Sequence, residues 1–474
     1  MTLSELFADF ITKDVSVSKE AAELAKRSIA DSVGAMIAGS KTQAAQQAME
    51  LSARTTARSE AAMAQPNAKE SGATIAGLGK GYLPRDAAFV NGISGHELEL
   101  DDTSSSNLGH PTIAVLPALL AIGEEQHCSG EALLEAFLLA TEVECKIGRI
   151  CAGTLHERGW HASSITGVLG AAAGCSRLLR LDGEKTRHAL GIAASMASGL
   201  RENFGTTTKS IHIGKTNEDG LRAALLSQAG FTASRKALDG REGYVYEYTT
   251  KPLKELLSKV AGGTVEEFAQ TLGNDWDICS PGFAIKRYPS CSSTHRAVDG
   301  LALLIDREAI RADDIEAIAV GLSKPALREL VSPDPKDGEE AKFSIGFQIA
   351  LHLAGITNMP ENYTKEVIMR PHIQNIIRRT SMYNAECCDG LPVDMGVGPA
   401  LVSIRLKDGS CFEHQQVYPV GHLTNPIPDD ELQAKFTRCT EGNMPKEASD
   451  ALYERLMRLE TVRDIAEIME YMAR

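Results

Sequence analysis

Segments with helical periodicity follow one another from Ser18 to Gly230, and this run limits the fold more than any other feature of the sequence. In Ser18–Ser40 the larger apolar side chains recur mostly every three to five residues, which is the helical period. Pro111–Gln126 is apolar almost all round, which predicts a buried helix. His161–Leu179 is rich in Gly and Ala, a composition that lets helices approach closely. The sequence therefore predicts an all-helical N-terminal domain of about eight helices.

The other predicted helices of this domain share apolar spacing and terminal turn residues. They are Thr42–Ser59, Arg85–Leu100, Ser129–Gly148, Asp182–Gly199 and Lys215–Gly230, with a glycine-bearing connection at Asn67–Gly81.

The pattern changes in the second half of the chain. Ile315–Leu322 and Leu401–Leu406 are strand-like, and the latter continues through Asp408-Gly409 into Cys411–Tyr418, which predicts a hairpin because Asp-Gly supplies the positive φ angles of its turn. The helices predicted around them are Ser293–Arg307, Ala341–Ala354 and Arg370–Arg379, and Asp429–Arg474 returns to amphipathic helices.

The resulting fold class is mainly α with an α+β part. A large helical domain comprises residues 1–265, completed by C-terminal helices at 425–474, and a smaller α+β lid domain comprises residues 275–420.

Composition excludes several classes of protein. The chain has 474 residues and a formal net charge of −14, without Lys/Arg-dense runs, which argues against nucleic acid or an anionic membrane as a partner. Met1–Val15 lacks the features of a signal peptide, and the longest apolar stretches are far shorter than a bilayer requires. The ten cysteines form no C-x-x-C pair. We therefore expect a cytoplasmic protein with reduced thiols.

Four polar clusters interrupt the apolar pattern and are expected to form one pocket. They are His96–Pro111, Gly159–Ser164, Thr206–Lys215 and Ile285–Cys291. Each opens or closes a predicted helix or strand, which is how catalytic pockets are assembled on a rigid scaffold. The cations of the last two clusters can make the pocket basic within an acidic protein: Lys209, His212, Lys215, Lys286 and Arg287.

Each candidate residue also has a simpler interpretation. His110 and His161 precede predicted helices, where an imidazole can instead cap the backbone. Lys209 and His212 are predicted in a loop before the helix at Lys215, where they either bind a carboxylate or remain solvated.

Known cofactor and nucleophile motifs are absent. The Gly77–Gly81 stretch has neither dinucleotide nor Walker spacing, and no G-x-S-x-G or H-E-x-x-H occurs. The acids and histidines of the first cluster are residue types that bind metals, but their spacing argues against a metal site, and we predict no metal and no cofactor. These residues are His96, Glu97, Glu99, Asp101, Asp102 and His110.

These residue types suit proton abstraction next to a carboxylate. Such a reaction needs cations that hold substrate carboxylates and stabilise the developing negative charge, together with a base and an acid. Lysines can supply the cations, and histidines or acidic side chains can supply the base and the acid.

Seven stretches in order resemble the MmgE/PrpD family, which includes 2-methylcitrate dehydratase, cis-aconitate decarboxylase and iminodisuccinate epimerase. The resemblance covers nearly the whole chain. The stretches are A-A-F-V-N-G at Ala87–Gly92, D-D-T at Asp101–Thr103, His110-Pro111, G-W-H at Gly159–His161, T-K-S-I-H-I-G at Thr208–Gly214, I-K-R-Y-P-S-C at Ile285–Cys291 and A-K-F-S-I at Ala341–Ile345.

The resemblance implies a helical domain with an α+β lid, a homodimer, and an active site between the domains without metal or organic cofactor. The catalytic residues that it implies are Glu99, Thr103, His110, His161, Lys209 and Lys286, with Asp102 and His212 beside them. Arg287 and Tyr288 join the predicted substrate-binding residues.

Two positions depart from the family's pattern. The first acid of D-x-D-D-T is Glu99, which is one methylene longer, and the lid tyrosine of the family is replaced by Phe347, which lowers the ranking of cis-aconitate decarboxylation.

The leading functional prediction is a lyase that eliminates water from a small hydroxy di- or tricarboxylate, as 2-methylcitrate dehydratase does. In it, Lys209 and Lys286 bind carboxylates, His110 and His161 transfer protons, and Glu99 and Thr103 orient substrate or water. The alternatives are an epimerase of a dicarboxylate such as iminodisuccinate, a cis-aconitate-type decarboxylase, and a metabolite-binding protein without catalysis.

Overall fold

The computed structural model describes residues 1–63, 72–390 and 397–473. Its backbone contacts divide the chain into two compact units. The first contains Met1–Glu97, Ser106–Phe283 and Asp429–Arg474, and the second contains Leu98–Ser105 and Ala284–Pro428. Residues 98–105 thus group with the second unit, although helices of the first unit precede and follow them in the sequence.

The first unit begins with a long series of helices and one short hairpin. The helices are α1 (Leu3–Thr12), α2 (Lys19–Gly39), α3 (Gln43–Met63), α4 (Pro84–Glu97), α5 (Pro111–Glu125), α6 (Gly130–Glu157), α7 (Ala162–Leu178), α8 (Gly183–Met196), α9 (Thr208–Gln228), α10 (Tyr244–Thr249), α11 (Leu253–Leu257) and α12 (Val265–Ala269). The hairpin strands are β1 (Ala73–Ile75) and β2 (Gly79–Tyr82).

The second unit combines helices with a mixed sheet. Its helices are α13 (Ser292–Glu308), α14 (Lys324–Glu329), α15 (Gly338–Ala341), α16 (Ile345–Leu353), α17 (Lys365–Ile368) and α18 (Pro371–Arg379), and its strands are β3 (Ile315–Leu322), β4 (Thr380–Asn384), β5 (Ala400–Leu406) and β6 (Cys411–Gln416). The chain then returns to the first unit with α19 (Asp429–Thr440), α20 (Lys446–Met457) and α21 (Ala466–Met472). The fold is mainly α with an α+β part, as predicted.

Short turns of other helix types complete these elements. They are the 3-10 turns Arg201–Asn203, Ala312–Asp314, Pro360–Asn362, Glu386–Cys388 and Leu459–Thr461, and a π turn at Ile278–Gly282.

Glycines allow the central helices of the first unit to pack backbone against backbone. A Cβ on Gly170 of α7 would lie 2.7 Å from the carbonyl oxygen of Ala140 in α6. A Cβ on Gly92 of α4 would lie 2.9 Å from Cα of Gly214 in α9. The predicted close approach at the small residues of α7 is therefore confirmed. The contact between α4 and α9 brings together the turns that carry His96 and His212.

The sheet of the second unit has the order β4-β3-β5-β6, in which β3 and β4 are parallel and the other pairs are antiparallel. Ile318 pairs with Ile404, and Val320 pairs with Val402. All four of these side chains belong to the buried apolar core of the unit. The predicted hairpin is confirmed, and Gly409 in its turn has a φ of 91°.

Several predicted element boundaries need correction. The helix expected from Lys215 begins at Thr208, so Lys209 and His212 lie on the first two turns of α9 and the loop prediction is wrong. The buried face at the start of α9 carries Lys209, His212 and, in the third turn, Thr216. These side chains have helical spacing but are polar, so hydrophobic periodicity does not reveal the helix. The predicted connection at 67–81 contains the hairpin β1-β2 in its described part, residues 72–81.

Within the described residues, no helix combines the length and the apolar character that crossing a bilayer requires.

Candidate active site

Two histidines of the first unit meet where α4 ends and α5 begins. His96 is in the last turn of α4, and His110 is the N-cap residue of α5. The His110 side chain makes no capping hydrogen bond, and its backbone N–H donates to Oγ of Ser163 at 3.0 Å. The rings of His96 and His110 are 4.6 Å apart between centroids, at an angle of 72°. The imidazole of His110 therefore lies against the first histidine and does not cap its helix.

His161 joins this group from the start of α7. It is the N-cap residue of that helix, again without a side-chain capping bond, and its backbone N–H donates to the carbonyl of Gly199 at 3.0 Å. Its ring stacks on that of His96 at a centroid distance of 5.8 Å. Its Nδ1 atom lies 3.1 Å from Nδ1 of His212. A hydrogen bond between two imidazoles requires one nitrogen to donate and the other to accept, so at least one of the two rings is neutral.

Lys209 and His212 reach the group from α9. Lys209 is 7% exposed and His212 is 8% exposed. The Lys209 Nζ atom lies 5.3 Å from the ring centroid of Phe204, within the range of a cation–π interaction. We call His96, His110, His161, His212 and Lys209 the histidine cluster.

Burial keeps two imidazoles of the histidine cluster neutral. Burial, followed by the positive charge of Lys209, holds the pKa of His161 well below its usual 6.5. The same two causes lower the pKa of His212 to about 4. At neutral pH both rings are therefore proton acceptors beside a lysine.

A second group of polar residues lies within the second unit. The Nζ atom of Lys286 is 2.8 Å from Oε2 of Glu99, and their side chains are 2% and 6% exposed. Burial alone would lower the pKa of Lys286, but the carboxylates of Glu99 and Asp101 outweigh it and raise that pKa. Lys286 is therefore a protonated, buried ammonium. Glu99 has a φ of 54°, an unusual conformation for a residue other than glycine, of the kind that clusters at functional sites.

The backbone ties the acidic segment of this unit to the lysine segment. The N–H of Thr103 donates to the carbonyl of Ala284 at 2.9 Å, and the N–H of Ala284 donates to the carbonyl of Thr103 at 2.7 Å. Oγ1 of Thr103 is buried and has no hydrogen-bond partner among the described residues. A buried hydroxyl without a partner is unusual and is available to bind a ligand. We call Glu99, Asp101, Thr103 and Lys286 the carboxylate–lysine cluster.

The other predicted binding residues of the second unit have different surroundings. The Tyr288 hydroxyl donates to Oδ1 of Asp299 at 2.9 Å, and NH1 of Arg287 lies 3.7 Å from the same oxygen. Burial and the charge of Asp299 raise the pKa of Tyr288. Asp102 is fully buried. Arg287 and Tyr288 thus contact a carboxylate in the middle of α13.

Two sequence profiles match almost the whole length of the chain. The MmgE/PrpD N-terminal domain matches residues 3–256, and the MmgE/PrpD C-terminal domain matches residues 288–459. The chain belongs to the MmgE/PrpD family.

Curated relatives of this MmgE/PrpD chain include cis-aconitate decarboxylases. The Homo sapiens protein is 29% identical over 393 residues, which covers 80% of this chain and 78% of the relative. The Mus musculus protein is 28% identical over 394 residues, covering 80% and 77%. The Aspergillus terreus protein is 25% identical over 420 residues, covering 84% and 82%. These similarities support an enzyme of the lyase type.

Sequence reasoning missed two neighbours of the MmgE/PrpD histidines. His96 is part of the first polar cluster of the sequence and a possible metal ligand there, and the structure adds that its ring contacts those of both His110 and His161. Phe204 was not considered, although its ring contacts both His161 and Lys209. The available signal was a single aromatic residue within a polar stretch, five positions before Lys209.

Phe347, which the family resemblance matches to a lid tyrosine, is fully buried in the second unit. It packs edge-on against Tyr363 at a centroid distance of 5.3 Å. The Tyr363 hydroxyl in turn lies 2.7 Å from Oε1 of Gln348 and 2.7 Å from Oδ1 of Asn358. Phe347 therefore acts as a core residue that supports a polar network.

Proposed function

We propose that this protein is a lyase that removes a proton next to a carboxylate and eliminates water from a small hydroxy di- or tricarboxylate, in the manner of 2-methylcitrate dehydratase. The observation that carries the proposal is the neutral, buried pair of His161 and His212 beside Lys209. A general base must be unprotonated at the working pH, and the lowered pKa of His161 meets this condition.

The histidine cluster supplies the proton transfers of the proposed reaction. His161 accepts the proton from the carbon next to a carboxylate, and Lys209 binds that carboxylate. As the proton leaves, negative charge moves onto the carboxylate oxygens, where a buried ammonium stabilises it more than water would. His110 donates a proton to the departing hydroxyl, so that water is the leaving group.

The carboxylate–lysine cluster supplies binding and orientation. Lys286 is charged and buried, so it can pair with a substrate carboxylate. Thr103 offers a hydroxyl that has no hydrogen-bond partner among the described residues. Glu99 holds Lys286 in place and, with Thr103, orients substrate or water.

A second candidate reaction is the decarboxylation of a cis-aconitate-like acid, and the names of the relatives favour it. After carbon dioxide leaves, the carbanion must receive a proton, so the enzyme must begin with a protonated acid. The neutral state of His161 and His212 suits proton abstraction better than proton donation. Phe347 lacks the hydroxyl of the family's tyrosine. We therefore place dehydration first.

Proton NMR in D2O tests the proposal directly. The purified protein is incubated with citrate, 2-methylcitrate, cis-aconitate and aspartate-derived dicarboxylates. A new alkene signal from a hydroxy acid supports dehydration. Release of carbon dioxide from cis-aconitate would show instead that the protein is a decarboxylase. Exchange of the α-proton alone would indicate an epimerase, and unchanged spectra with every acid would contradict the proposed function.

We further propose a homodimer in the cytoplasm, as the family resemblance implies. Light scattering on the purified protein measures the mass of the assembly, and a mass equal to one chain would contradict the dimer. Cell fractionation tests the location.

A further inference from the structure

The ring of Phe204 contacts two members of the histidine cluster. Its centroid lies 5.0 Å from that of His161, and the two planes meet at 83°, an edge-to-face arrangement. The Lys209 ammonium lies 5.3 Å from the same centroid. The guanidinium carbon of Arg201 lies 5.4 Å from it. One aromatic ring thus touches the imidazole to which we assign proton abstraction and the lysine to which we assign carboxylate binding.

The segment that carries Phe204 is fixed to the strand-like residues before α7. The His161 N–H donates to the carbonyl of Gly199 at 3.0 Å, and the Arg201 N–H donates to the carbonyl of Gly159 at 2.9 Å. The Phe204 N–H donates to the carbonyl of Arg201 at 2.9 Å, within the same turn. The position of the ring is therefore set by the backbone that also sets His161.

The Arg201 side chain orients the ring further. Its NH1 atom donates to the carbonyl of His156, at the end of α6, with a length of 3.0 Å. The guanidinium is thus fixed at the ring, which it attracts through a cation–π interaction.

An aromatic ring acts on a lysine in a different way from a carboxylate. The electron-rich face of the ring attracts the ammonium but carries no net charge, so this contact does not neutralise the positive charge of the lysine. The apolar edge of the same ring also helps to exclude water from the His161 imidazole. These two effects act on neighbouring groups through a single side chain.

We propose that Phe204 is a positioning residue that holds the Lys209 ammonium and the His161 imidazole in their relative arrangement. The inference rests on the proposed function for its kinetic consequences, although its structural content does not depend on turnover. The proposal predicts that position 204 requires an aromatic ring, and that an aliphatic side chain does not suffice.

Three variants test this requirement. Phe204→Leu keeps apolar bulk but removes the ring, and Phe204→Tyr keeps the ring. Phe231→Leu is the matched control, because Phe231 is 59% exposed beyond the end of α9 and lies outside the histidine cluster. The melting temperatures of all three are measured first, and unchanged values show that the fold is retained.

The first readout needs no substrate. Titration of histidine-labelled protein by NMR follows the imidazole of His161, which is assigned by its loss in His161→Asn. Burial, the larger cause of the lowered His161 pKa, persists in Phe204→Leu because leucine is also apolar. In that variant we nevertheless expect the pKa of His161 to move up toward 6.5, because the Lys209 ammonium, whose charge also lowers it, is no longer held beside the imidazole, while Phe204→Tyr and Phe231→Leu retain the wild-type curve. All three variants retain the ionisable side chains that face His161, which are those of Lys209, His96, His212 and His110. A wild-type curve in Phe204→Leu would overturn the proposal.

The second readout is kinetic. Loss of a cation–π contact with a buried lysine corresponds to roughly a threefold to tenfold rise in KM. We expect this rise in Phe204→Leu, with a smaller change in kcat, and recovery to within about twofold in Phe204→Tyr. Equal KM values in the leucine and tyrosine variants would overturn the role of the ring. If the wild type is inactive while the His161 titration responds to Phe204→Leu, the positioning role is supported and the proposed function fails instead.

Discussion

The Nδ1 atoms of His161 and His212 lie 3.1 Å apart, although the two residues are on different helices and both are buried. The bond holds one proton, so at least one of the two rings is neutral, and burial together with the positive charge of Lys209 lowers the pKa of both rings. This relationship favours a neutral pair and makes the pair a proton acceptor, which is why the chemistry proposed above begins with proton abstraction.

Removal of the proposed base should abolish turnover without unfolding the protein. In His161→Asn the side-chain amide can still bond to His212, but it cannot accept a proton at neutral pH. We expect kcat to fall by about 10²–10⁴-fold, the usual contribution of general acid–base catalysis. Lys209→Ala should likewise abolish turnover, through loss of carboxylate binding. Circular dichroism and the melting temperature verify the fold, and His127→Asn, at a side chain 69% exposed, is the control. Full activity in both His161→Asn and Lys209→Ala would exclude the histidine cluster as the active site.

The stability of the protein should depend on pH through His212. Its pKa is about 4 in the folded protein and 6.5 as a reference for the unfolded chain. Below pH 6.5 the unfolded chain binds a proton that the folded chain does not, so stability present above pH 6.5 is lost as the pH falls toward 4. Urea unfolding between pH 4 and pH 8 should therefore show a shallower loss in His212→Gln than in the wild type. Parallel pH profiles of the two proteins would contradict the buried, neutral state of His212.

The buried pair of Lys286 and Glu99 should be sensitive to the loss of either partner. Lys286→Met leaves the Glu99 carboxylate buried without its cation, which costs about 3–5 kcal/mol of stability when one partner of a buried ion pair is removed. The double variant Lys286→Met/Glu99→Gln removes both charges and should recover part of that loss. Urea unfolding of the three proteins measures the effect. A double variant less stable than Lys286→Met would show that the two charges do not compensate each other.

Cys291 should be unreactive despite its position after the Ile285–Ser290 segment. It is buried, and burial followed by the charge of Glu329 raises its pKa to about 12. A thiol with that pKa holds almost no thiolate at pH 8, and the thiolate is the reactive form. Iodoacetamide at pH 8, followed by mass spectrometry of peptides, should label the exposed Cys387 and Cys411 and leave Cys291 unlabelled. Rapid labelling of Cys291 in the native protein would contradict its buried state.

Strongly periodic segments could be predicted from the sequence, and polar helical turns could not. The bounds of β3 agree with the prediction, and helix α5 differs from it by one residue at its end, because the apolar side chains of both segments repeat along their whole length. The first two turns of α9 were predicted as a loop because their buried face is polar. The strand β4 was not predicted, since its side chains are largely exposed and its pairing partner β3 is distant in the sequence.

The residues of the candidate site could likewise be predicted only in part. The clusters around His110, His161 and Lys209 were found from residue type and position, and the structure places these three residues in one group within the first unit. The contribution of Phe204 depends on ring geometry, which no single-sequence pattern encodes. The roles of the catalytic candidates remain predictions until the variants above are measured.

The contact between Gly92 and Gly214 sets a limit on how this protein can be engineered for heat resistance. Replacing a helical glycine with alanine commonly stabilises a protein by about 0.4–1 kcal/mol, because alanine has fewer conformations to lose on folding. At Gly153 of α6 an added Cβ meets nothing within 4 Å, so Gly153→Ala introduces no steric clash. At Gly214 the same methyl group would lie 2.5 Å from the carbonyl oxygen of Phe89 and would force α4 and α9 apart. Since these helices carry His96 and His212, glycine-to-alanine substitutions made for heat resistance should leave Gly92 and Gly214 unchanged.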